Sequence, residues 1–311
     1  MCAKLVFPLD RKLNKCYNGI KKAEAFMSRL KIGITNSSYG VYAFDEAIER
    51  IAKQGYDCID YQGFVNIESE FFKLPDAEFE AEILRQKELI ASHGLEVSQA
   101  HAPWRTPKDG DPEERKKWIE AMKKSIRGTK LFGCTRFVVH PLFPYMDSAE
   151  HPEEVWAMNE EFLGTLADYA KDYGVTVCFE NMPFPQFPIT TVEHCIEIVD
   201  RLKRDNLRIC LDTGHAAIFK GSDVASAVRL IGDRLEAVHI HDNMGEQDEH
   251  LIPGDGIINW DEFAAALKEI GFDKVMSLET SPKHGKHPRE EWEAREINLV
   301  SIAKDLATKA F

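Results

Sequence analysis

The chain has 311 residues, 44% of them apolar and 29% charged, with a formal net charge of −13. That composition supports a sizeable core and excludes a wholly disordered chain. The acidic balance opposes sequence-independent binding to DNA, RNA or an anionic membrane, each of which needs a basic field, and no apolar run approaches the roughly 18–20 residues of a membrane span.

Residues 1–29 read as an N-terminal extension. It carries Arg11, Lys12, Lys15, Lys21 and Lys22 but lacks the apolar stretch of about 7–15 residues that a secretory signal needs, so a cytoplasmic protein is expected. From Leu30 onward one unit repeats: an amphipathic helical stretch ends in Gly, and an apolar, β-branched run follows. After Leu30–Ile34, Gly55 precedes Tyr56–Tyr61, Gly94 precedes Leu95–Ala100 and Gly133 precedes Thr135–His140. Gly174 then precedes Val175–Glu180, and Gly271 precedes Lys274–Glu279. Glycine just past a helix end takes the left-handed conformation that closes the last turn. Leu207–Leu211 and Leu235–Ile240 bring the strands to eight. Helix starts are marked by Pro112 and Pro152 with acids behind them, by the capping-box spacing of Thr190 and Glu193, and by Ser222 as a candidate cap.

Alternating strands and helices imply a parallel sheet, and eight units over about 280 residues fit a closed (β/α)8 barrel over residues 30–311 as one catalytic domain. A doubly wound open sheet is the structural rival, but Thr35-Asn36-Ser37-Ser38 lacks its Gly-rich first turn. The seven cysteines are odd in number and contain no CxxC. Cys58, Cys178 and Cys210 lie inside strand-like runs and read as reduced, buried thiols.

A barrel carries its active site at the C-terminal ends of its strands. Those ends hold His101, His140, Glu180, Asp212 with His215, His239 with His241, and Glu279; the loop after strand seven adds Asp248 and His250. Six of the eleven histidines therefore fall on one edge or its loop. Gathered carboxylates repel unless a cation lies between them, so the set Glu180, Asp212, His239 or His241, and Glu279 points to a divalent metal with N/O ligands, Zn²⁺ or Mn²⁺ above others. Taken singly, each histidine is more cheaply read as a hydrogen-bonded structural residue. His239 and His241 share one face of the strand, and either can be the ligand. His215 is a ligand or a donor to substrate. Trp104, Asn181, Phe184 and Phe187 are candidate pocket walls, with plain packing the equal alternative for the aromatics. Lys283, His284, Lys286, His287 and Arg289 read as a solvated loop before a phosphate site.

These residues resemble the xylose isomerase-like barrel superfamily, which holds sugar isomerases and epimerases, sugar phosphate isomerase/epimerase-like proteins and endonuclease IV. The most specific stretch is Val238-His-Ile-His-Asp-Asn-Met-Gly-Glu-Gln-Asp-Glu-His-Leu-Ile-Pro-Gly-Asp-Gly256 with Asn259-Trp260, supported by Phe179-Glu-Asn181, Leu211-Asp-Thr-Gly-His215 and Leu278-Glu-Thr280. Resemblance to the ketose epimerases implies one metal on Glu180, Asp212, a strand-seven His and Glu279. It also implies proton transfer next to a carbonyl through a metal-stabilised enediolate, with Glu180 and Glu279 as the proton carriers and His215 orienting a substrate oxygen. Resemblance to endonuclease IV implies three zinc ions on His101, His140, Glu180, Asp212, His215, His239, Asp248, His250 and Glu279. The acidic charge and the Pro253-Gly-Asp-Gly256 stretch favour a sugar or sugar phosphate substrate with no nucleic-acid or membrane partner. A zinc phosphodiesterase, a metal-dependent lyase or dehydratase, and a sugar-binding barrel are the alternatives, and a homo-oligomer is left open.

Overall fold

A computed structural model describes residues 29–104, 112–143, 148–221, 223–282 and 288–311. The N-terminal extension before Arg29, Ser222 and the basic loop 283–287 lie outside the described residues. Eight strands follow the expected runs: β1 Ile32–Thr35, β2 Cys58–Tyr61, β3 Glu96–His101, β4 Arg136–Val139, β5 Thr176–Glu180, β6 Leu207–Asp212, β7 Leu235–His239 and β8 Met276–Leu278. All pair in parallel in the order β7-β6-β5-β4-β3-β2-β1-β8. The ring closes beyond the last regular pair. Ile240 bridges Leu278, its N–H donating to the Ser277 carbonyl at 2.8 Å while Glu279 N–H donates back to Ile240 O at 3.0 Å. The architecture is the expected (β/α)8 barrel.

Gly55, Gly94, Gly133, Gly174 and Gly271 all have positive φ, as the helix–Gly–strand repeat requires. Pro152 opens its helix at the first turn with Glu153 and Glu154 behind it. Two caps differ from expectation. Helix Val192–Leu202 is capped by Thr191 rather than Thr190, and its reciprocal partner is His194 rather than Glu193: the Thr191 hydroxyl accepts from His194 N–H while the ring Nδ1 accepts from Thr191 N–H. An imidazole acceptor at the third helical position takes the place of the carboxylate in the usual box. Helix Val224–Ile231 is capped by Asp223, whose carboxylate accepts from both Ala225 and Ser226 N–H. Among the described residues no helix is long and apolar enough to cross a membrane. The five described cysteines are buried and unpaired.

Candidate metal centre and active site

The two-residue period of a strand decides what enters the barrel. Val138, Cys178, Cys210 and Ala237 bury together as a small apolar inner layer. Two residues further along the same strands come His140, Glu180, Asp212 and His239, and one more step beyond β7 gives His241. The same step leads from Gln99 to His101 on β3 and from Ser277 to Glu279 past β8. An apolar floor is thus overlaid, at the C-terminal ends, by a layer of imidazoles and carboxylates.

That layer resolves into three groups, within each of which the donor atoms lie within 4.8 Å of one another, and a fourth set, Glu180, Cys210 and His239, reaches down to the floor. One is Glu180, Asp212, His239 and Glu279; a second is His101, His140 and Glu180; a third is His215, His241, Asp248 and His250. Glu180 is shared. Its Oε1 lies 2.7 Å from His239 Nδ1, and its Oε2 lies 3.1 Å from His140 Nε2 and 3.3 Å from His101 Nε2. Glu279 Oε2 is 3.0 Å from the same His239 nitrogen. Asp248 Oδ2 faces His250 Nε2 at 3.2 Å and His215 Nε2 at 3.3 Å.

The chemistry of the donors tests whether a cation fits. A neutral imidazole has one N–H and one lone pair. His101, His215 and His250 each direct Nδ1 at a backbone carbonyl, of Ala102 at 2.8 Å, Asn181 at 2.8 Å and Glu279 at 2.6 Å. His239 directs Nε2 at the Asp60 carboxylate at 3.0 Å. In His215, His239 and His250 the outer nitrogen must donate, which turns the inner lone pair toward a carboxylate; His101 Nδ1 also accepts from Trp104 Nε1 at 3.0 Å, so its tautomer is not fixed in this way. Lone pair facing lone pair is repulsive without a proton or a metal between them, and a backed ring with its free nitrogen turned inward is how metal ligands are held. The donor set fits a divalent cation.

The titration shifts agree with that crowding. Burial disfavours the charged form of His140, His215, His239 and His250, and for His140 it prevails, lowering the pKa. At His215 the fields of Asp212 and Asp248 overcome burial and push the ring up to about 10; at His250, Asp248 and Glu279 push it up to about 9. Burial also opposes charge on Glu180, but His239 and His140 hold its carboxyl well below the usual carboxylate range. At Glu279 burial outweighs His239, and the pKa rises. Without a metal, protons on His215, His239 and His250 balance the carboxylates, and ligation requires those protons to leave.

Residues 48–300 match the family described as xylose isomerase-like TIM barrel. The chain belongs to this family. Over 264 residues it is 29% identical to an uncharacterized protein of Methanocaldococcus jannaschii, spanning 84% of this chain and 87% of that one. It is 31% identical to an inosose isomerase of Bacillus subtilis over 167 residues, which is 52% of this chain and 59% of the relative, short of two thirds of its length. Among solved structures, a D-tagatose 3-epimerase-like protein superposes with a TM-score of 0.72 at 27% identity, covering 89% of this chain and 97% of the other. An IolI protein with a bound zinc atom superposes at 0.71 and 25% identity, covering 91% and 99%.

Within this xylose isomerase-like barrel the remaining site residues take definite places. Both polar ends of the Asn181 side chain are engaged by the Asp212 backbone, donating to its carbonyl at 3.0 Å and accepting from its N–H at 2.9 Å. His215, expected to orient a substrate oxygen, has one nitrogen on Asn181 O and the other facing Asp248. Trp104 stands half-exposed on the rim, its Nε1 3.0 Å from His101 Nδ1 and its ring stacked over His140. Phe184 and Phe187 form an aromatic cluster with Phe143 on the neighbouring loop, a member the sequence reading missed. His239 and His241 separate by environment: His239 reaches Glu180 and Glu279, whereas His241 Nε2 faces Asp212 Oδ1 at 2.9 Å and its Nδ1 finds no partner among the described residues.

The sequence reading also passed over Asp242. It is fully buried and accepts from the N–H groups of Asn243, Gly254 and Ile258 and from Trp260 Nε1. These bonds gather the Pro-Gly-Asp-Gly and Asn-Trp parts of the motif around one carboxylate. A Cβ at Gly256 would lie 2.3 Å from Asp242 Oδ1, so the motif needs glycine there. The loop so anchored carries Asp248 and His250.

Proposed function

We propose that the chain is a metal-dependent sugar isomerase or epimerase that moves a proton at the carbon beside a carbonyl. The observation that carries this reading is the approach of Glu180 and Glu279, from β5 and past β8, to one nitrogen of His239 at 2.7 and 3.0 Å. Glu180, Asp212, His239 and Glu279 would hold a divalent ion, Zn²⁺ or Mn²⁺. When bound, that ion supplies Lewis-acid polarisation of a substrate carbonyl and a neighbouring hydroxyl. Two carboxylates from different strands can serve a bound sugar from different sides, one removing the proton and the other returning it, which inverts the carbon. Glu279 is the carboxylate of the four with solvent access, at 14% exposure of its side chain against 1% for Glu180, so substrate meets it first. Trp104 and the cluster of Phe184, Phe187 and Phe143 would wall the mouth and exclude water. Asn181 keeps Asp212 in place through its backbone. The inosose isomerase and the epimerase-like structure among the similar proteins support a sugar substrate.

A second reading, a phosphodiesterase with three metal ions, is favoured by one observation: the nine residues implied by resemblance to endonuclease IV are spread over three donor groups, two of which share Glu180 while the third also takes in His241. The net charge of −13 opposes it, because a duplex backbone needs a basic rim. The deciding experiment screens ketoses, inososes and their phosphates for deuterium uptake from heavy water, with and without metal removal. Metal-dependent exchange at one carbon is expected. Absence of exchange on every substrate, with cleavage of an abasic-site duplex, would replace the first reading by the second.

A further inference from the structure

Asp60, on β2, is fully buried beneath the donor layer and takes no part in the chemistry proposed above. Its Oδ2 accepts from three side chains on three other strands: Gln99 Nε2 at 2.8 Å, Ser277 Oγ at 3.0 Å and His239 Nε2 at 3.0 Å. Its Oδ1 has no hydrogen-bond partner among the described residues. An isolated buried carboxylate is costly, and packing alone would favour an apolar residue at this point of the barrel. The group that repays the charge is His239.

From this arrangement we infer that Asp60 is a positioning residue that fixes the His239 tautomer and makes the Glu180–Asp212–His239–Glu279 group the high-affinity metal centre of the three. The inference rests on the metal-centre reading above. His101, His215 and His250 are backed by backbone carbonyls, whereas His239 is backed by the side-chain carboxylate of Asp60. A carboxylate on Nε2–H holds the proton there and raises the electron density at Nδ1, the nitrogen turned toward Glu180 and Glu279. Gln99 and Ser277 lock the carboxylate, and through it the plane of the ring. Because a side-chain carboxylate, locked by two further donors, backs this ring and none of the others, the first equivalent of metal goes to its group.

Zn²⁺ titration of metal-stripped protein against a chromophoric chelator tests this without an activity assay. Asp60→Asn should weaken the tightest binding step by about 10- to 100-fold and leave weaker steps unchanged. In a His239→Ala background the same substitution should cost little, because a residue that acts through the ring has nothing left to act on. A loss below about threefold in the wild-type background, under the lower bound for such partners, would overturn the inference, as would an equal loss in both backgrounds. Should Asp60→Asn fail to fold, the wild type decides. In zinc-loaded protein labelled with ¹⁵N-histidine, His239 must carry its proton on Nε2, and a proton on Nδ1 is the contrary result. Failure of the wild type to take up any zinc would overturn both this inference and the functional reading. Equal affinity of wild type and variant would overturn this inference alone.

Discussion

Gly214 lies in the short helix Thr213–Ala217, directly after β6, and the ring of His241 rests against its backbone. A Cβ at this position would lie 1.9 Å from His241 Cε1 and 2.3 Å from Nδ1. Optimal carbon–carbon contact is about 3.5–4.0 Å, so in Gly214→Ala the ring must retreat by roughly 1.6–2.1 Å. It has no room to do so: it is fully buried, stacks on His250 at 4.0 Å between centroids, and holds Asp212 through Nε2. Helix propensity alone would make alanine better than glycine by about 1 kcal/mol. Against that stand an overpacking cost of about 1–3 kcal/mol and about 1.5–3 kcal/mol for a disrupted hydrogen bond to a charged group. The net is a loss of about 1.5–5 kcal/mol, which for a chain of this size lowers the melting temperature by roughly 3–10 °C. Thermal and urea unfolding of metal-free protein measure it. In a His241→Ala background the obstacle is gone, and Gly214→Ala should become neutral or stabilising. Undiminished stability of the single variant, or the same loss in both backgrounds, would refute the reasoning.

Burial pushes the thiols of Cys58 and Cys134 up to about 12, and those of Cys178, Cys195 and Cys210 higher still. Native protein at pH 8 should therefore show no more than two fast-reacting thiols of its seven with a disulfide reagent, the rest reacting only on unfolding; three or more fast thiols would contradict this. Asp242→Ala strips four donors, three of them buried, of their acceptor and should cost at least about 3 kcal/mol, with new protease cleavage between Met244 and Ile257; an intact, uncleaved loop would refute its role as anchor. Glu180→Gln and Glu279→Gln should each lower kcat by at least about 10²-fold, and a variant that keeps metal and a tenth of the wild-type turnover would rule out proton transfer by that residue.

The barrel was legible because each strand is an apolar run and five of the eight are announced by a glycine that closes the preceding helix, a local signal carried by neighbouring residues. The donor layer was legible for a related reason: once a strand is placed, its last residue has a defined location, so Glu180, Asp212 and Glu279 could be named before any contact was known. What escaped the reading depends on partners distant in the chain. His239 and His241 occupy the same face two residues apart, and partners far away in the chain distinguish them: Asp60, 179 residues away, with Glu180 and Glu279 for His239, and Asp212 for His241. Asp60 by itself reads as an ordinary polar position in a short strand. Asp242 was seen as part of a motif, yet its function lies in its bonds to Gly254, Ile258 and Trp260. The cap of one helix shifted by one residue for a smaller reason: Thr190 and Thr191 are chemically equivalent, and they differ only in that the Thr190 hydroxyl donates to Phe187 O while the Thr191 hydroxyl accepts from His194 N–H.

The two glutamates of the four-donor group are not equivalent, and their difference separates binding from turnover. Glu180 is held on both oxygens, by His239 on one side and by His101 and His140 on the other, and it belongs to two donor groups of the layer as well as to the set with Cys210. Glu279 belongs to one group and keeps access to solvent. Neutralising Glu180 removes a charge that three imidazoles face in a buried site, so Glu180→Gln should weaken metal uptake in both groups it serves. Neutralising Glu279 removes one ligand from one group and leaves the Glu180 anchor intact. Removing a single ligating or supporting partner typically costs 10- to 100-fold in affinity. Glu279→Gln should therefore still load metal at concentrations that leave Glu180→Gln empty, while both lose turnover. Zinc titration of the two variants side by side reads this directly. Tighter binding by Glu180→Gln than by Glu279→Gln would mean that the shared carboxylate is not the anchor of the site.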